Sequence, residues 1–223
     1  MRRILSTLTC LAVLAGLSGA SAQKAAQKPP AKSIDNSAAV EPLDPQIAIQ
    51  MADQYFNAAQ VMTADFIQVG ADGRRAEGKL YVLKPGRLRF EYALPATMEI
   101  IADGSMVAIR DRQLQNQETY MLSQTPLKFL LKADINLAKD VKIISVTSDS
   151  TGTIITVEDS TTFGGVSRIR LKFDTASFSL KQWEVTDPQG YVTLVTLHNI
   201  DLKSVPERGL FRIPSDGGWP SPN

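Results

Sequence analysis

The side chains that could carry out catalysis are few, and His198 is the only histidine in the sequence. A Ser-His-Asp hydrolase would have to use it, yet no G-x-S-x-G elbow is present to supply the nucleophilic serine. The one cysteine, Cys10, lies in an N-terminal apolar run, so a zinc site would have only His198 and carboxylates as ligands. These residues therefore support neither a Ser-His-Asp hydrolase nor a zinc site. A glycosidase pair of carboxylates stays open as an alternative, because sequence alone does not show which acids meet in space.

A second pattern resembles a phosphate-binding loop. Gly73, Gly78 and Lys79 have the G-x-x-x-x-G-K spacing of such a loop. The next residue should be Ser or Thr, which holds magnesium, whereas here it is Leu80. A phosphate-binding loop also leads from a strand into a helix, but residues 80–83 have a strand-like sequence. The pattern therefore predicts no nucleotide site.

The overall composition is that of one globular domain, with 43% apolar residues in 223. Lys and Arg together number 24, and Asp and Glu together number 23. A nucleic-acid-binding protein normally carries a clear basic excess, because its cations neutralise phosphates. The balance therefore predicts no nucleic-acid partner.

The N-terminus has the three parts of a secretory signal peptide. Arg2 and Arg3 precede an apolar run over residues 4–17, and Ala20-Ser21-Ala22 supplies an A-x-A cleavage site. We predict that residues 1–22 are removed near Ala22. Residues 23–43, rich in Ala, Lys and Pro, are predicted to be a flexible leader, residues 44–214 one domain, and residues 215–223 a C-terminal tail.

The elements that position the remaining side chains begin with a helix. After Asp44, the apolar residues Ile47, Met51, Tyr55 and Phe56 recur at three-to-four spacing, which is typical of an amphipathic helix. From residue 64 onward the pattern changes to short alternating runs separated by Gly, Pro and Asp turns. That rhythm predicts an antiparallel, hairpin-connected sheet.

The alternation divides the sheet into an apolar face and a solvated face. In residues 87–92, Leu88, Phe90 and Tyr92 share one face, and residues 168–173 repeat the pattern. The candidate cover for the apolar face is a short helix over residues 125–131. There Thr125 can cap, and Pro126 suits the first helical position.

Short motifs run through the domain in a fixed order. They are A-D-F from Ala64, K-P-G-R-L-R-F-E-Y from Lys84, I-A-D-G from Ile101, T-P-L from Thr125 and F-R-I-P from Phe211. In this order they resemble the LolA family of lipoprotein carriers, over about Ile47 to Pro214. The resemblance implies a mainly β (α+β) fold, an unclosed antiparallel β half-barrel with short helices forming a lid over a hydrophobic cavity.

The resemblance also implies a protein that is not an enzyme and that needs no cofactor and no metal. It further implies partners and a place in the cell. It implies a monomeric periplasmic carrier that takes acylated lipoproteins from the inner-membrane Lol ABC transporter and passes them to the outer-membrane receptor LolB. Family members commonly have Arg before the Pro of the first long motif, an Arg that helps to hold the lid, whereas this chain has Lys84. Lysine keeps the charge but lacks the planar fork that bonds two acceptors.

Carried over by motif and pattern, the expected residues of the acyl cavity and lid are mostly aliphatic or aromatic. They are Lys84, Leu88, Phe90, Tyr92, Ile100, Ile101, Val107, Ile109, Leu127, Phe129, Leu130 and Leu131. Two other classes of protein remain as alternatives. One is a half-barrel regulatory protein that senses lipids or lipoproteins of the cell envelope, and the other is an exported hydrolase that uses His198 or a carboxylate pair.

Overall fold

The computed structural model of the protein describes residues 43–214. The predicted signal peptide, nearly all of the predicted leader and the C-terminal tail lie outside these residues. Among the described residues there are two α-helices, α1 (Pro45–Ala58) and α2 (Leu137–Asp140). Three 3₁₀ turns cover Leu122–Gln124, Lys128–Leu131 and Arg208–Phe211.

All strands belong to one 11-stranded antiparallel sheet. The strands are β1 (Val61–Val69), β2 (Arg75–Leu83), β3 (Arg87–Tyr92), β4 (Met98–Asp103), β5 (Met106–Asp111), β6 (Asn116–Met121), β7 (Lys142–Asp149), β8 (Gly152–Thr162), β9 (Gly165–Phe173), β10 (Leu180–Thr186) and β11 (Val192–Asp201). Their spatial order is β6-β5-β4-β3-β2-β1-β11-β10-β9-β8-β7. Strands β6 and β7 are the two edges, so the sheet is not closed. The predicted mainly β, unclosed antiparallel fold is confirmed.

One face of the sheet carries the core, as the alternation predicted. In β9 the side chains of Ile169, Leu171 and Phe173 are fully buried, while those between them are exposed or half-buried. Leu88 lies opposite Val82 on β2 and opposite Ala102 on β4, which places it on the same inner face. The inner face is therefore continuous across the sheet.

Helix α1 begins where the sequence predicts. Asp44 caps it, because its Oδ1 accepts hydrogen bonds from the backbone N–H of Gln46 at 2.8 Å and of Ile47 at 3.2 Å. Phe56 is buried, and Met51 and Tyr55 pack against the core, as the apolar stripe predicts. The prediction fails at Ile47, which is 49% exposed, whereas Ala48 and Ala52 are fully buried. The small alanines let the helix backbone approach the sheet, and the ring of Phe56 packs against that of Phe173 at 5.7 Å between centroids.

The predicted helix over residues 125–131 is also corrected. The chain makes two separate 3₁₀ turns here, and Thr125 ends the first one instead of capping a helix. Leu127 has φ 71°, a left-handed conformation that interrupts any helix starting at Pro126. We call residues 122–132 the cover segment. Its side chains Phe129 and Leu131 are buried against the inner face.

Candidate functional site

An apolar cavity with a volume of about 60 Å³ lies between the inner face of the sheet, α1 and the cover segment. Its wall is built almost wholly of carbon atoms. The lining residues are Phe56, Ala59, Met62, Leu80, Val82, Lys84, Leu88, Leu127, Leu130, Leu131, Leu180 and Trp183. Such a cavity can hold apolar groups and offers no reactive side chain beyond the lysine.

Lys84 is the one charged residue of the wall, and its ammonium group is turned away to α1. Its Nζ donates a hydrogen bond of 2.6 Å to the carbonyl oxygen of Phe56. The backbone N–H of Gln60, which would bond that oxygen in a continued helix, instead donates to Ala58. The ammonium therefore satisfies a carbonyl left open at the end of α1 and faces the negative end of the helix dipole.

Burial makes the charge on Lys84 costly. The residue is only 9% exposed, and within residues 43–214 no carboxylate pairs with it. Burial alone lowers the pKa of Lys84 from 10.5 to about 8. The side chain is held in place by its aliphatic stem in the wall and by one hydrogen bond to α1.

The turn after Lys84 is tied to the cover segment. The backbone N–H of Gly86 donates a hydrogen bond of 2.8 Å to the carbonyl oxygen of Leu131. Gly86 has φ 75°, and a Cβ added there would lie 2.7 Å from the Cα of Gly104. Only glycine fits this close approach of two backbones, so the turn presents its N–H to the cover segment at a fixed place.

An aromatic cluster lies beside the cavity on the inner face of the sheet. The ring of Phe66 makes edge contacts with Phe90 at 5.0 Å and with Tyr92 at 5.1 Å between centroids. The ring of Phe90 in turn lies 6.3 Å from that of Trp183, which lines the cavity. Burial raises the pKa of Tyr92 to about 12, and its hydroxyl donates to Gln68 Oε1 at 2.8 Å. The wall is therefore packed and hydrogen-bonded rather than loose.

The structure brings together many of the residues expected from sequence. Lys84, Leu88, Leu127, Leu130 and Leu131 all line the cavity. Phe90, Tyr92 and Phe129 are buried in the adjoining core, and Ile100 packs against that core on the inner face. Val107 and Ile109 lie on the inner face of β5, opposite Ala102 and Ile100, but outside the cavity wall.

The expectation for Ile101 is corrected. Ile101 lies opposite Arg89 on β3, whereas its neighbour Ile100 lies opposite Phe90, so the two isoleucines face opposite sides of the sheet. Ile101 is 1% exposed on the outer side. The 3₁₀ turn Arg208–Phe211 lies against β3 and β4, and Arg89 donates to the carbonyl oxygen of Leu210 at 3.1 Å. Ile101 therefore belongs to a second packed layer and not to the cavity.

Sequence reasoning missed several wall residues. Leu80 and Val82 lie two residues apart on one face of β2, and the hairpin places them opposite Phe90 and Leu88. This pairing could have identified Leu80 and Val82 as wall residues from the sequence. Leu180 and Trp183 carried no such signal, because they reach the cavity only through the strand order β1-β11-β10.

Several hydrogen bonds and ion pairs hold the cover segment to the rest of the protein, among them the bond of 2.9 Å from the N–H of Leu122 to the carbonyl oxygen of Ser105 and the Lys132–Asp140 ion pair. At one end its Gln124 carbonyl oxygen accepts a hydrogen bond of 2.8 Å from the N–H of Phe163 in the β8–β9 hairpin. At the other end Leu131 accepts from Gly86. Between them Lys128 forms an ion pair with Asp159 of β8.

The candidate catalytic residue His198 lies on the outer side of the sheet, whereas the cavity lies on the inner side. It is exposed, lies opposite Asp65 in the register of β1 and β11, and lines a separate open cleft with Asp65, Glu77 and Lys79. The described lining of that cleft includes no Ser, Thr or Cys. The cleft therefore contains no Ser-His-Asp arrangement.

Residues 43–214 contain neither a cluster of potential metal ligands nor a helix that could span a bilayer. No group of three or more His, Cys, Asp or Glu side chains there is placed to hold a metal ion. Within residues 43–214 no helix is both long enough and apolar enough to span a bilayer.

With the half-barrel and its apolar cavity established, comparison with known proteins gives the family. A sequence model of the outer membrane lipoprotein carrier protein LolA matches residues 57–214. The chain therefore belongs to the LolA family.

The chain is also similar to individual proteins. An outer-membrane lipoprotein carrier protein of Legionella pneumophila (strain Corby) is 29% identical over 171 residues, which cover 73% of this chain and 82% of that protein. A crystal structure of a LolA superfamily protein from Nitrosomonas europaea matches 75% of this chain and 97% of its own, with 11% identity and a TM-score of 0.43. The complex of Pseudomonas aeruginosa MucA and MucB matches 76% of this chain and 62% of that chain, with 9% identity and a TM-score of 0.40.

Proposed function

We propose that this protein is a periplasmic carrier that shields the acyl chains of lipoproteins between the inner and the outer membrane. The observation that carries the proposal is the apolar cavity beneath the cover segment, in a chain of the LolA family. An acyl chain exposed to water costs about 0.8 kcal/mol for each methylene that could be buried. A lipoprotein with two or three such chains therefore needs a protein that covers them.

The size of the cavity supports a mechanism in which the cover segment moves. Ligand pockets typically have volumes of about 300–1,000 Å³, and this cavity has about 60 Å³. Acyl chains therefore enter only when Leu127, Leu130 and Leu131 leave the wall. The cover segment is suited to this because it has two short 3₁₀ turns and few hydrogen bonds of its own.

The chemistry of the wall supports release as well as binding. Aliphatic and aromatic contacts are not directional, so no specific polar bond has to break when a chain leaves. We infer that Leu88, Leu127, Leu130 and Leu131 contact the chains directly, and that Lys84 holds α1 at the edge of the cavity. Phe90, Tyr92, Ile100 and Phe129 support the wall, and Val107 and Ile109 extend the apolar surface along β5.

The proposed partners follow from this role. The carrier would receive lipoproteins from an inner-membrane Lol ABC transporter and deliver them to an outer-membrane receptor of the LolB type. It would act as a monomer, without a cofactor and without catalysis.

Release of lipoproteins from spheroplasts tests the proposal. The mature protein is added to spheroplasts, and the soluble fraction is analysed for acylated proteins by native mass spectrometry. We expect a one-to-one complex with an acylated protein. A protein that stays empty and releases nothing from the spheroplasts would refute the carrier role.

A further inference from the structure

The Lys128–Asp159 ion pair joins the middle of the cover segment to the sheet. The side chain of Asp159 is 5% exposed and that of Lys128 is 22% exposed. Among residues 43–214 the other ion pair of the cover segment, Lys132–Asp140, leads to α2 instead. Neither Lys128 nor Asp159 lines the cavity. The pair therefore joins the cover segment to the sheet from outside the closed cavity.

Asp159 is held in place independently of Lys128. Its Oδ1 accepts hydrogen bonds from the backbone N–H of Thr161 at 2.9 Å and from the Thr161 hydroxyl at 2.7 Å. In the register of β8 and β9 it lies opposite the buried Ser167. Burial would raise the pKa of Asp159, but the hydrogen bonds from Lys128 and Thr161 outweigh this effect and keep it below the usual value. Asp159 is thus a fixed, ionised acceptor, and Lys128 is the partner that moves.

We propose that the Lys128–Asp159 pair is a latch that keeps the cover segment closed over the empty cavity and thereby limits the rate of loading. Opening removes Lys128 from a carboxylate that stays largely buried, which makes the open state costly. This inference rests on the proposed function, since it assigns a control element to the same cavity.

The latch makes a prediction that is unusual for an ion pair, because its loss should improve binding. An apolar ligand larger than the closed cavity binds only the open form, so its apparent dissociation constant rises as the open fraction falls. Removing the latch should therefore tighten binding, mainly through faster association.

The test uses four variants of the full mature chain. Asp159→Asn keeps an oxygen for Thr161 but loses the negative charge, and Lys128→Met keeps the apolar stem but loses the positive charge. The third variant combines both changes. The matched control is Glu158→Gln, because Glu158 is the next residue of β8, faces the outer side, and pairs with Lys142 at 3.5 Å and Arg168 at 2.8 Å.

Two measurements are made on each variant. One is the stopped-flow association rate of N-phenyl-1-naphthylamine, an uncharged apolar fluorophore that the removed charges neither attract nor repel. The other is hydrogen exchange at the amides of residues 130–132, where the N–H groups of Leu130 and Lys132 bond within the cover segment.

We expect both rates to rise at least tenfold in Asp159→Asn and in Lys128→Met, which corresponds to about 1.4 kcal/mol of latch energy. The double variant should resemble either single one, and Glu158→Gln should behave as wild type. Wild-type rates in both single variants would overturn the latch, and so would effects that simply add in the double variant.

The same experiment separates the latch from the carrier role. If the fluorophore bound to no variant, the proposed cavity function would fail, while hydrogen exchange would still decide whether the ion pair holds the cover segment. If the fluorophore bound equally fast to every folded variant, the carrier role would stand and the latch would be refuted.

Discussion

Replacing Lys84 by methionine should abolish a pH dependence of stability that the wild-type protein has above neutral pH. Burial lowers the pKa of Lys84 to about 8 in the folded protein, against 10.5 for an exposed lysine. Between these two pH values the folded chain has lost the proton while the unfolded chain still holds it. The unfolded state then binds more protons, so the free energy of unfolding rises with pH in this window.

The magnitude follows from the two pKa values. Integrated from about pH 7.5 to about pH 9.5, a native pKa near 8 raises the free energy of unfolding by about 2 kcal/mol. Methionine keeps the apolar stem and has no proton to lose, so this rise should disappear. Near pH 7 the two proteins should differ little, because methionine removes the cost of burying the charge but also loses the charged hydrogen bond to Phe56.

The assay is urea unfolding at a series of pH values, monitored by tryptophan fluorescence. The difference between wild type and Lys84→Met is the quantity of interest, because tyrosines that titrate at higher pH, such as Tyr92, are present in both proteins and cancel. Lys181→Met, at an exposed position of β10, serves as the control and should run parallel to wild type. If the free energy of unfolding changed with pH in the same way for wild type and Lys84→Met, the conclusion that Lys84 carries a buried charge without a counter-charge would be refuted.

Three further predictions concern the wall, the outer layer and α1. Leu88→Glu places a charge in the apolar wall and should reduce lipoprotein release from spheroplasts at least tenfold. The control Leu94→Glu, at a leucine that is 83% exposed, should release lipoproteins as the wild type does. Equal release by both variants would show that Leu88 is not part of the wall. Ile101→Ala should lower the free energy of unfolding, measured in urea, by about 2–4 kcal/mol. The folded variant should bind the fluorophore with unchanged affinity, because Ile101 packs on the outer side of the sheet. A loss of affinity without a loss of stability would place Ile101 in the cavity. Asn57→Ala breaks two hydrogen bonds with the backbone of Ile135, of 2.9 and 2.8 Å, and should lower the free energy of unfolding by about 1–3 kcal/mol, as measured by thermal unfolding. The control Asn116→Ala, at an exposed position, should cost less than about 0.5 kcal/mol. Similar costs for the two variants would contradict the role of Asn57.

Much of the fold could be predicted because it follows from neighbouring residues. The cap on α1 depends on Asp44 and the two N–H groups that follow it, and both are local. The division of β3 into an apolar and a polar face depends only on the period of two that an extended backbone imposes. The motif from Lys84 to Tyr92 joined these local patterns to a family, and the family supplied the half-barrel.

Where local pattern and packing disagreed, packing decided. The apolar run at Ile100 and Ile101 gives no sign of which side chain faces the cavity, because both are equally apolar. The register with β3 settles it, and a C-terminal turn more than one hundred residues later covers the outer one. In the cover segment, Thr125 and Pro126 favour a helix by local preference. The chain instead makes short turns with a left-handed Leu127, and in this conformation Phe129 and Leu131 are buried against the sheet.

The sequence by itself therefore determined the strands, the start of α1, the apolar face and the membership in the LolA family. Only the tertiary structure decided which residues enclose the cavity, that Lys84 bonds to α1, and that Lys128 meets Asp159 across 31 positions of the chain. The physical reason is that backbone geometry sets periodicity between near neighbours. Curvature of the sheet, closure over its inner face and pairing of buried charges depend on contacts between residues that are distant in sequence.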